Sequence, residues 1–181
     1  MTPMKHLTIS ILLCLIFHLH VISQEKEVLQ NAIGSSSNET ETSDLAITLS
    51  KKYLNLPISQ DVNREKMSFT IEGEPDLDFV IRLSSKPQYW TFYDISAYQG
   101  KVLHIKYEGN KEGLNNIYQD DKIAGQDTLY RENTRPQIHF TTKRGWINDP
   151  NGMIFYEGEY HLFYQHNPFE SEWENMSWGH A

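Results

Sequence analysis

The sequence predicts an all-β protein in which a small β-sandwich is followed by a second β-sheet unit. Apolar residues alternate with polar ones in short runs, as in Phe79, Ile81 and Leu83, and this period of two is typical of half-buried strands. Turn-forming residues separate the runs; residues 94–101, for example, supply Asp, Ser and Gly between two of them. From residue 45 to about residue 135, no stretch repeats with the period of an amphipathic helix.

The composition limits the classes of partner. The 181 residues include 16 Lys and Arg against 24 Asp and Glu, so the formal net charge is −8. An acidic chain repels nucleic acid and anionic lipid, and we therefore expect neither as a partner. A neutral ligand such as a sugar is compatible with this charge.

Residues 1–23 have the layout of a secretory signal peptide. Lys5 supplies the basic start, an apolar stretch covers residues 7–21, and cleavage is expected near Ser23. The protein is therefore expected to be secreted or periplasmic, with attachment to the cell surface left open. Its one cysteine, Cys14, lies within the predicted signal.

Two other interpretations of this segment are weaker. A membrane anchor requires roughly 20 apolar residues, whereas this stretch is shorter and is interrupted by His18 and His20. A lipoprotein signal would need a small residue before Cys14, where the bulky Leu13 stands. We therefore expect no membrane span after removal of the signal.

The rest of the chain divides into three parts by composition. Residues 24–44 are polar and lack apolar periodicity, which predicts a flexible linker. Residues 45–135 carry the strand pattern of the sandwich, and residues 136–181 form the second unit. The boundary is placed at Pro136, because proline removes a backbone donor and favours extended geometry in the residue before it.

The second unit contains a strong turn signal at residues 148–152, Asn-Asp-Pro-Asn-Gly. Each of these residue types meets a requirement of a tight turn. Two strand-like runs follow, residues 153–156 and 160–165, joined by residues 157–159, and this pattern predicts a β-hairpin. On the residues alone, Asp149 is a solvated turn residue.

The neighbours of this aspartate favour a second interpretation. Asn148 and Gln165 bring amides, and Trp146, Trp173 and Trp178 bring aromatic faces. Sugar sites combine these groups: a carboxylate attacks the anomeric carbon, amides bind hydroxyl groups, and tryptophan faces shape the apolar side of the ring.

Four pieces of this unit resemble, in order, the opening of glycoside hydrolase family 32, the invertases, inulinases and levanases. They are His-Phe (139–140), Trp-Ile-Asn-Asp-Pro-Asn-Gly (146–152), Tyr-His-Leu-Phe-Tyr-Gln-His-Asn-Pro (160–168) and Asn-Met-Ser-Trp-Gly-His-Ala (175–181). The resemblance implies a retaining hydrolase of β-fructofuranosidic bonds in fructans (levan or inulin) or sucrose. It also implies a five-bladed β-propeller whose first blade begins here, with Asp149 on an innermost strand that faces the central funnel.

The same resemblance implies a role for four of the residues. Asp149 would be the nucleophile that forms a covalent fructosyl-enzyme intermediate. Asn148 and Gln165 would hydrogen-bond the hydroxyl groups of the terminal fructose. Trp173 would form an aromatic wall of the same pocket.

The remaining tryptophans and the histidines complete these expectations. Trp146 and Trp178 would help to line the pocket, with core packing as an open alternative for both. His161 and His166 are five positions apart, so on one strand they lie on opposite faces and cannot share a metal ion. The resemblance implies neither a metal nor a cofactor, and we expect none.

Two motifs of the family are absent from the 181 residues: Arg-Asp-Pro, whose aspartate stabilises the transition state, and Glu-Cys, which carries the acid/base glutamate. We therefore interpret the sequence as the N-terminal part of a longer, full-length protein. A nucleophile without a proton donor gives little turnover, so the 181 residues alone are expected to be inactive.

Two other functions stay open at this stage. One is a carbohydrate-binding protein that uses Trp90 or Tyr93 of the sandwich and keeps only a vestigial propeller, although packing is the simpler role for both side chains. The other is a related propeller glycosidase acting on arabinose or xylose, against which the complete Trp-Ile-Asn-Asp-Pro-Asn-Gly string argues. The exact substrate, exo or endo action and the oligomeric state are left open.

Overall fold

Strands dominate the computed structural model, which describes residues 42–181. The predicted signal peptide and the part of the predicted linker before residue 42 lie outside the described residues. The strands are β1 (Ser43–Thr48), β2 (Tyr53–Ile58), β3 (Glu65–Ile71), β4 (Leu77–Ile81), β5 (Tyr89–Asp94), β6 (Val102–Tyr107), β7 (Tyr118–Asp120), β8 (Trp146–Tyr156), β9 (Glu159–Asn167) and β10 (Ser177–His180). One turn of α-helix, α1 (Lys111–Leu114), and two 3₁₀ turns (Ser96–Tyr98 and Gln126–Thr128) complete the described elements. The prediction of an all-β protein is confirmed.

Strands β1 to β7 form a sandwich of two antiparallel sheets. One sheet has the strand order β1-β6-β3-β4, and the other has the order β5-β2-β7. The alternation expected of strands is visible in β6, where Leu103, Ile105 and Tyr107 are buried and the intervening His104 and Lys106 are exposed. Burial of each leucine or isoleucine stabilises the fold by about 1.5–3 kcal/mol.

Strand β2 is buried on both of its faces. Leu54 and Leu56 belong to the core that the two sheets share. Asn55 lies on the other face, where its Nδ2 donates to the Lys122 carbonyl at 3.2 Å and its Oδ1 accepts from the Ala124 N–H at 2.7 Å. The buried amide is therefore satisfied, and it ties the chain that follows β7 to the outside of the sandwich.

An ion pair stabilises the connection between β7 and β8. Arg135 Nη2 lies 2.8 Å from Glu132 Oε1, and Arg135 Nη1 donates to the Thr142 carbonyl at 2.8 Å. The hydrogen bond from Arg135 lowers the pKa of Glu132 to about 2. A lowered carboxyl pKa stabilises the folded state above the ordinary value of 4.5, and this stabilisation is lost as the pH falls toward 2.

Strands β8, β9 and β10 form a separate antiparallel sheet with the order β10-β9-β8. The predicted hairpin is present, and its connection is the pair Glu157 and Gly158, with φ angles of 51° and 92°. Positive φ at both central positions is the requirement of a type I′ turn, whose twist fits a hairpin. The count of five propeller blades stays a prediction.

The prediction of a tight turn at residues 148–152 is wrong. These residues lie inside β8, which runs over Trp146–Tyr156 and pairs with β9 at both ends. The register shifts twice between Asn148 and Ile154, so the turn-forming residues produce bulges rather than a reversal of the chain. Pro150 has no N–H, and a bulge is one of the few places in a strand that tolerate this loss.

Gly145 precedes β8 at a position where no side chain fits. Its φ is +87°, and a Cβ there would collide with the carbonyl oxygen of Asn167 on β9. We expect Gly145→Ala to lower the free energy of unfolding by about 2–4 kcal/mol, because backbone strain and displacement of β8 add together. Unfolding in urea, followed by circular dichroism, measures the change.

The matched control for this substitution is Gly158→Ala in the hairpin turn. Gly158 has a similar φ of +92°, but a Cβ there would meet no atom within 4 Å. The control is therefore expected to show only the backbone cost of about 1 kcal/mol. Equal losses in the two variants would contradict the close approach of β8 and β9 at Gly145.

Candidate active site

Three of the predicted site residues form one row across the second sheet. Asn148 on β8 lies opposite Gln165 on β9, and Gln165 lies opposite Trp178 on β10. Directly opposed residues of antiparallel strands place their side chains on the same face of the sheet. Trp146, two positions before Asn148, shares that face. We call the face that carries these four residues the site face.

Asp149 directly follows Asn148 in the sequence and lies in the bulged part of β8. Its φ is 39°, a value rarely adopted by residues other than glycine. Bulges re-aim side chains and are over-represented beside active sites, where backbone strain of this kind also collects. Asp149 is exposed, and within residues 42–181 its carboxylate makes no hydrogen bond or ion pair. The carboxylate of Asp149 is therefore accessible to a ligand from solvent.

The predicted tryptophans differ in their surroundings. Trp178 is 66% exposed, which rules out core packing for it within the described residues, whereas Trp146 is half-buried. Trp173 lies outside the sheet, in the connection between β9 and β10, and is 61% exposed. The register therefore brings Trp178 beside the amides, while the position of Trp173 depends on how this connection is held.

The histidines of the second sheet divide between its two faces, as predicted. His161 Nδ1 lies 2.9 Å from His180 Nε2, and the His180 ring stacks on Phe163 at 4.6 Å. His166 is on the opposite face, where its Nε2 lies 3.0 Å from the Arg144 carbonyl. Residues 42–181 contain no group of three or more His, Cys, Asp or Glu side chains able to hold a metal ion.

The face opposite the site face borders the sandwich. Tyr164 is buried there, and its ring centre lies 5.3 Å from that of Phe140. With Phe92 and Tyr93 of the sandwich, these rings line an apolar cleft of about 890 Å³. The cleft does not include the amides or the aspartate of the candidate site.

Sequence reasoning missed the contacts that hold the β9–β10 connection. We call residues 168–176 of this connection the docking loop. Three of its glutamates occupy alternate positions and pair with two arginines of the sandwich, one just before β3 and one just after β4. The glutamates are Glu170, Glu172 and Glu174, and the arginines are Arg64 and Arg82. The three alternating glutamates in the sequence indicate cationic partners, but the sequence does not identify which cations these are.

Comparison with known families gives a direct match for the second unit. Residues 139–181 match the family described as "Glycosyl hydrolases family 32 N-terminal domain". After this match, we call residues 139–181 the family 32 segment. The resemblance drawn from the four sequence pieces is therefore confirmed, and the family 32 segment contains every predicted site residue.

The relatives that match include three kinds of hydrolase. A levanase of Bacillus subtilis is 55% identical over 58 residues, which are 32% of this chain and 9% of that protein. A sucrose-6-phosphate hydrolase of Zymomonas mobilis is 61% identical over 60 residues, 33% of this chain and 12% of that protein. An extracellular exo-inulinase of Aspergillus niger is 52% identical over 52 residues, 29% of this chain and 10% of that protein.

The chain thus spans about a tenth of the length of these relatives. Among solved structures, a family 32 glycoside hydrolase from Bifidobacterium adolescentis matches with a TM-score of 0.34 and 20% identity. That match covers 76% of this chain and 25% of the other. In the described part of the chain, no helix is both long and apolar enough to cross a membrane.

Proposed function

We propose that the family 32 segment supplies the nucleophile and part of the fructose pocket of a retaining β-fructofuranosidase. The observation that carries the proposal is the row of Asn148, Gln165 and Trp178 beside the bulge that holds Asp149. A carboxylate, two amides and an aromatic face are the groups that a glycosidase site combines. The printed names of the relatives, levanase, sucrose-6-phosphate hydrolase and exo-inulinase, support a fructan or sucrose as substrate.

The proposed reaction has two steps at the anomeric carbon. An oxygen of Asp149 forms a bond to this carbon while the bond to the leaving oxygen breaks, and the leaving oxygen takes a proton from a general acid. Water then attacks the same carbon and gives its proton to the acid in its base form, and Asp149 departs as a carboxylate. In retaining enzymes the acid/base carboxyl lies about 5–5.5 Å from the nucleophile.

The other residues of the site face hold the sugar during these steps. Asn148 and Gln165 hydrogen-bond the fructose hydroxyl groups, which fixes the anomeric carbon in front of Asp149. Trp178 and Trp173 offer aromatic faces to the ring, and Trp146 borders the same pocket. No metal or cofactor takes part in the proposed steps.

The location of this activity is part of the proposal. Residues 1–23 act as a signal peptide that directs the protein to the periplasm or the outside of the cell, where polymeric fructans are available. Residues 24–42 link the signal to the sandwich module, whose first strand begins at Ser43 and which extends to about residue 135. Residues 136–181 begin the catalytic unit.

The alternative of a glycan site on the sandwich has weaker support. Trp90 is half-buried and meets Tyr118 edge-on with a ring distance of 5.1 Å. Tyr93 packs against Phe69 and Phe169, and its burial raises its pKa to about 12. These ring contacts favour a packing role for both side chains.

The test of the proposed function is fructose release from levan, inulin and sucrose by a protein that contains these residues together with an acid/base carboxyl. We expect release from at least one of the three, with the first product keeping the anomeric configuration of the substrate. Proton NMR of the early reaction mixture distinguishes retention from inversion. Inversion, or no release from any of the three by a folded protein, would contradict the proposal.

A further inference from the structure

The docking loop is bound to the sandwich by both apolar and polar contacts. Phe169 enters the sandwich core, where it is 4% exposed and stacks on Phe79 with ring centres 4.1 Å apart. The carbonyl of Pro168 accepts a hydrogen bond from Thr91 Oγ1 at 2.6 Å. The start of the loop is therefore held inside the module that precedes the family 32 segment.

Near the end of the docking loop, the side chain of Asn175 hydrogen-bonds the edge strand β4 in the way that the backbone of a neighbouring strand would. Asn175 Oδ1 accepts from the Val80 N–H at 2.9 Å, and Asn175 Nδ2 donates to the Val80 carbonyl at 2.8 Å. One side-chain amide thus satisfies both backbone groups of a residue on a sheet edge. Asn175 has a positive φ of 47°, which this double contact stabilises.

Between these two ends, two arginines bind the carboxylates of the loop. Glu170 has a fully buried side chain, and its Oε2 accepts from Arg64 Nε at 2.8 Å and from Arg82 Nη1 at 2.9 Å. Glu172 Oε2 accepts from Nη2 of the same two arginines, at 3.0 and 3.1 Å. Arg64 Nη1 also lies 3.4 Å from Glu174.

Because the Glu170 carboxylate is buried, the position of the docking loop depends on the two arginines that bind it. Burial of a charge is tolerated only when the charge is paired and hydrogen-bonded. Glu170 Oε1 has no hydrogen-bond partner in the described structure, so both arginines act on the single oxygen Oε2. Loss of the arginines would drive Glu170 toward water and move the docking loop, which carries Trp173 three positions later.

We propose that Arg64 and Arg82 are positioning residues for Trp173, so that the sandwich takes part in forming the substrate pocket. What Trp173 then contacts rests on the proposed function. The chemistry of the contact is the apolar face of a fructosyl ring against an indole. The sandwich therefore does more than separate the linker from the family 32 segment.

The first test measures the docking loop itself and is independent of any activity. In the full chain, we expect Arg64→Met with Arg82→Met to speed hydrogen exchange of the amides in residues 168–176 at least about tenfold. Amides of β6 should keep their rates. The control Lys101→Met removes a cation of the sandwich whose partner is Glu74, and it should leave the docking loop unchanged. Unchanged exchange in the double variant overturns the proposal.

Arg82→Lys covers the case in which the double variant fails to fold. A lysine keeps the charge but cannot reach Glu170 and Glu172 together as the guanidinium does. We expect a smaller acceleration in the same amides, of roughly threefold or more. An unchanged rate in this variant likewise overturns the proposal.

The second test links the arginines to Trp173 in an active protein that contains these residues. We expect Arg82→Lys to raise KM for fructan by about fivefold or more while kcat stays within about twofold. In a Trp173→Ala background, Arg82→Lys should have no further effect on KM, because the indole through which Arg82 acts is already absent. A full additional effect overturns the proposal. Absence of fructose release by the unsubstituted protein is instead a failure of the proposed function, and the exchange test still decides the position of the docking loop.

Discussion

Asp149→Asn is expected to abolish fructose release, with a loss in kcat of at least about 10⁴-fold, the scale seen when a catalytic nucleophile is removed. Asparagine has nearly the same size as aspartate, and it keeps the bulge in β8 because both residue types tolerate positive φ. Its amide cannot form the covalent fructosyl intermediate. Steady-state hydrolysis of the substrate that the unsubstituted protein prefers measures the loss.

The matched control is Glu159→Gln, which removes an exposed carboxylate at the start of β9. Glu159 lies at the hairpin end of the sheet, opposite Tyr156. We expect the control to keep its activity within about twofold, as is usual for surface changes. Comparable losses in the two variants would show that net charge, rather than a nucleophile at Asp149, causes the effect.

Phe169→Ala is expected to lower the free energy of unfolding by about 3–5 kcal/mol, the range for removal of a buried phenylalanine ring. The ring is packed between Phe79 and Tyr93, at centroid distances of 4.1 and 6.4 Å. Its loss leaves a cavity in the sandwich core and also releases the docking loop. The urea midpoint, measured with the slope of the transition, gives the change in free energy.

Phe155→Ala provides the control of the same residue type. Phe155 is 61% exposed on β8 and contacts Tyr160 at a ring distance of 4.9 Å. Because little apolar area is buried there, we expect a loss below about 1 kcal/mol. If Phe169→Ala were no more destabilising than this control, the docking loop would not be part of the sandwich core.

The strands of the sandwich could be predicted because their signal is local. The alternation in residues such as Phe79 and Ile81 reports the face of a strand without knowledge of its neighbours. The structure of residues 148–152 could not be predicted in this way, because the residues that suit a tight turn also suit a bulge. Pairing of β9 with both ends of β8 decides between the two, and pairing is not encoded in residues 148–152 alone.

The candidate site was predictable to the extent that it depends on the family resemblance. Residue types alone predict a turn at Asp149. The order of the four pieces that resemble glycoside hydrolase family 32 instead implies that Asp149 and Gln165 share one pocket. The arginine contacts of the docking loop had no such signal, since Arg64 and Glu170 are 106 positions apart. Contacts of this range depend on the packing of two modules, which a single sequence does not reveal.

Trapping of the covalent intermediate tests the role of Asp149 most directly. A protein that contains these residues is incubated with fructosyl fluoride, whose leaving group needs little help from a general acid. After acid quenching and proteolysis, mass spectrometry locates the fructosyl group. We predict that it is attached to the peptide that contains Asp149 and is absent from the Asp149→Asn variant. A fructosyl group on a different residue of an active protein would contradict the assignment of Asp149 as the nucleophile.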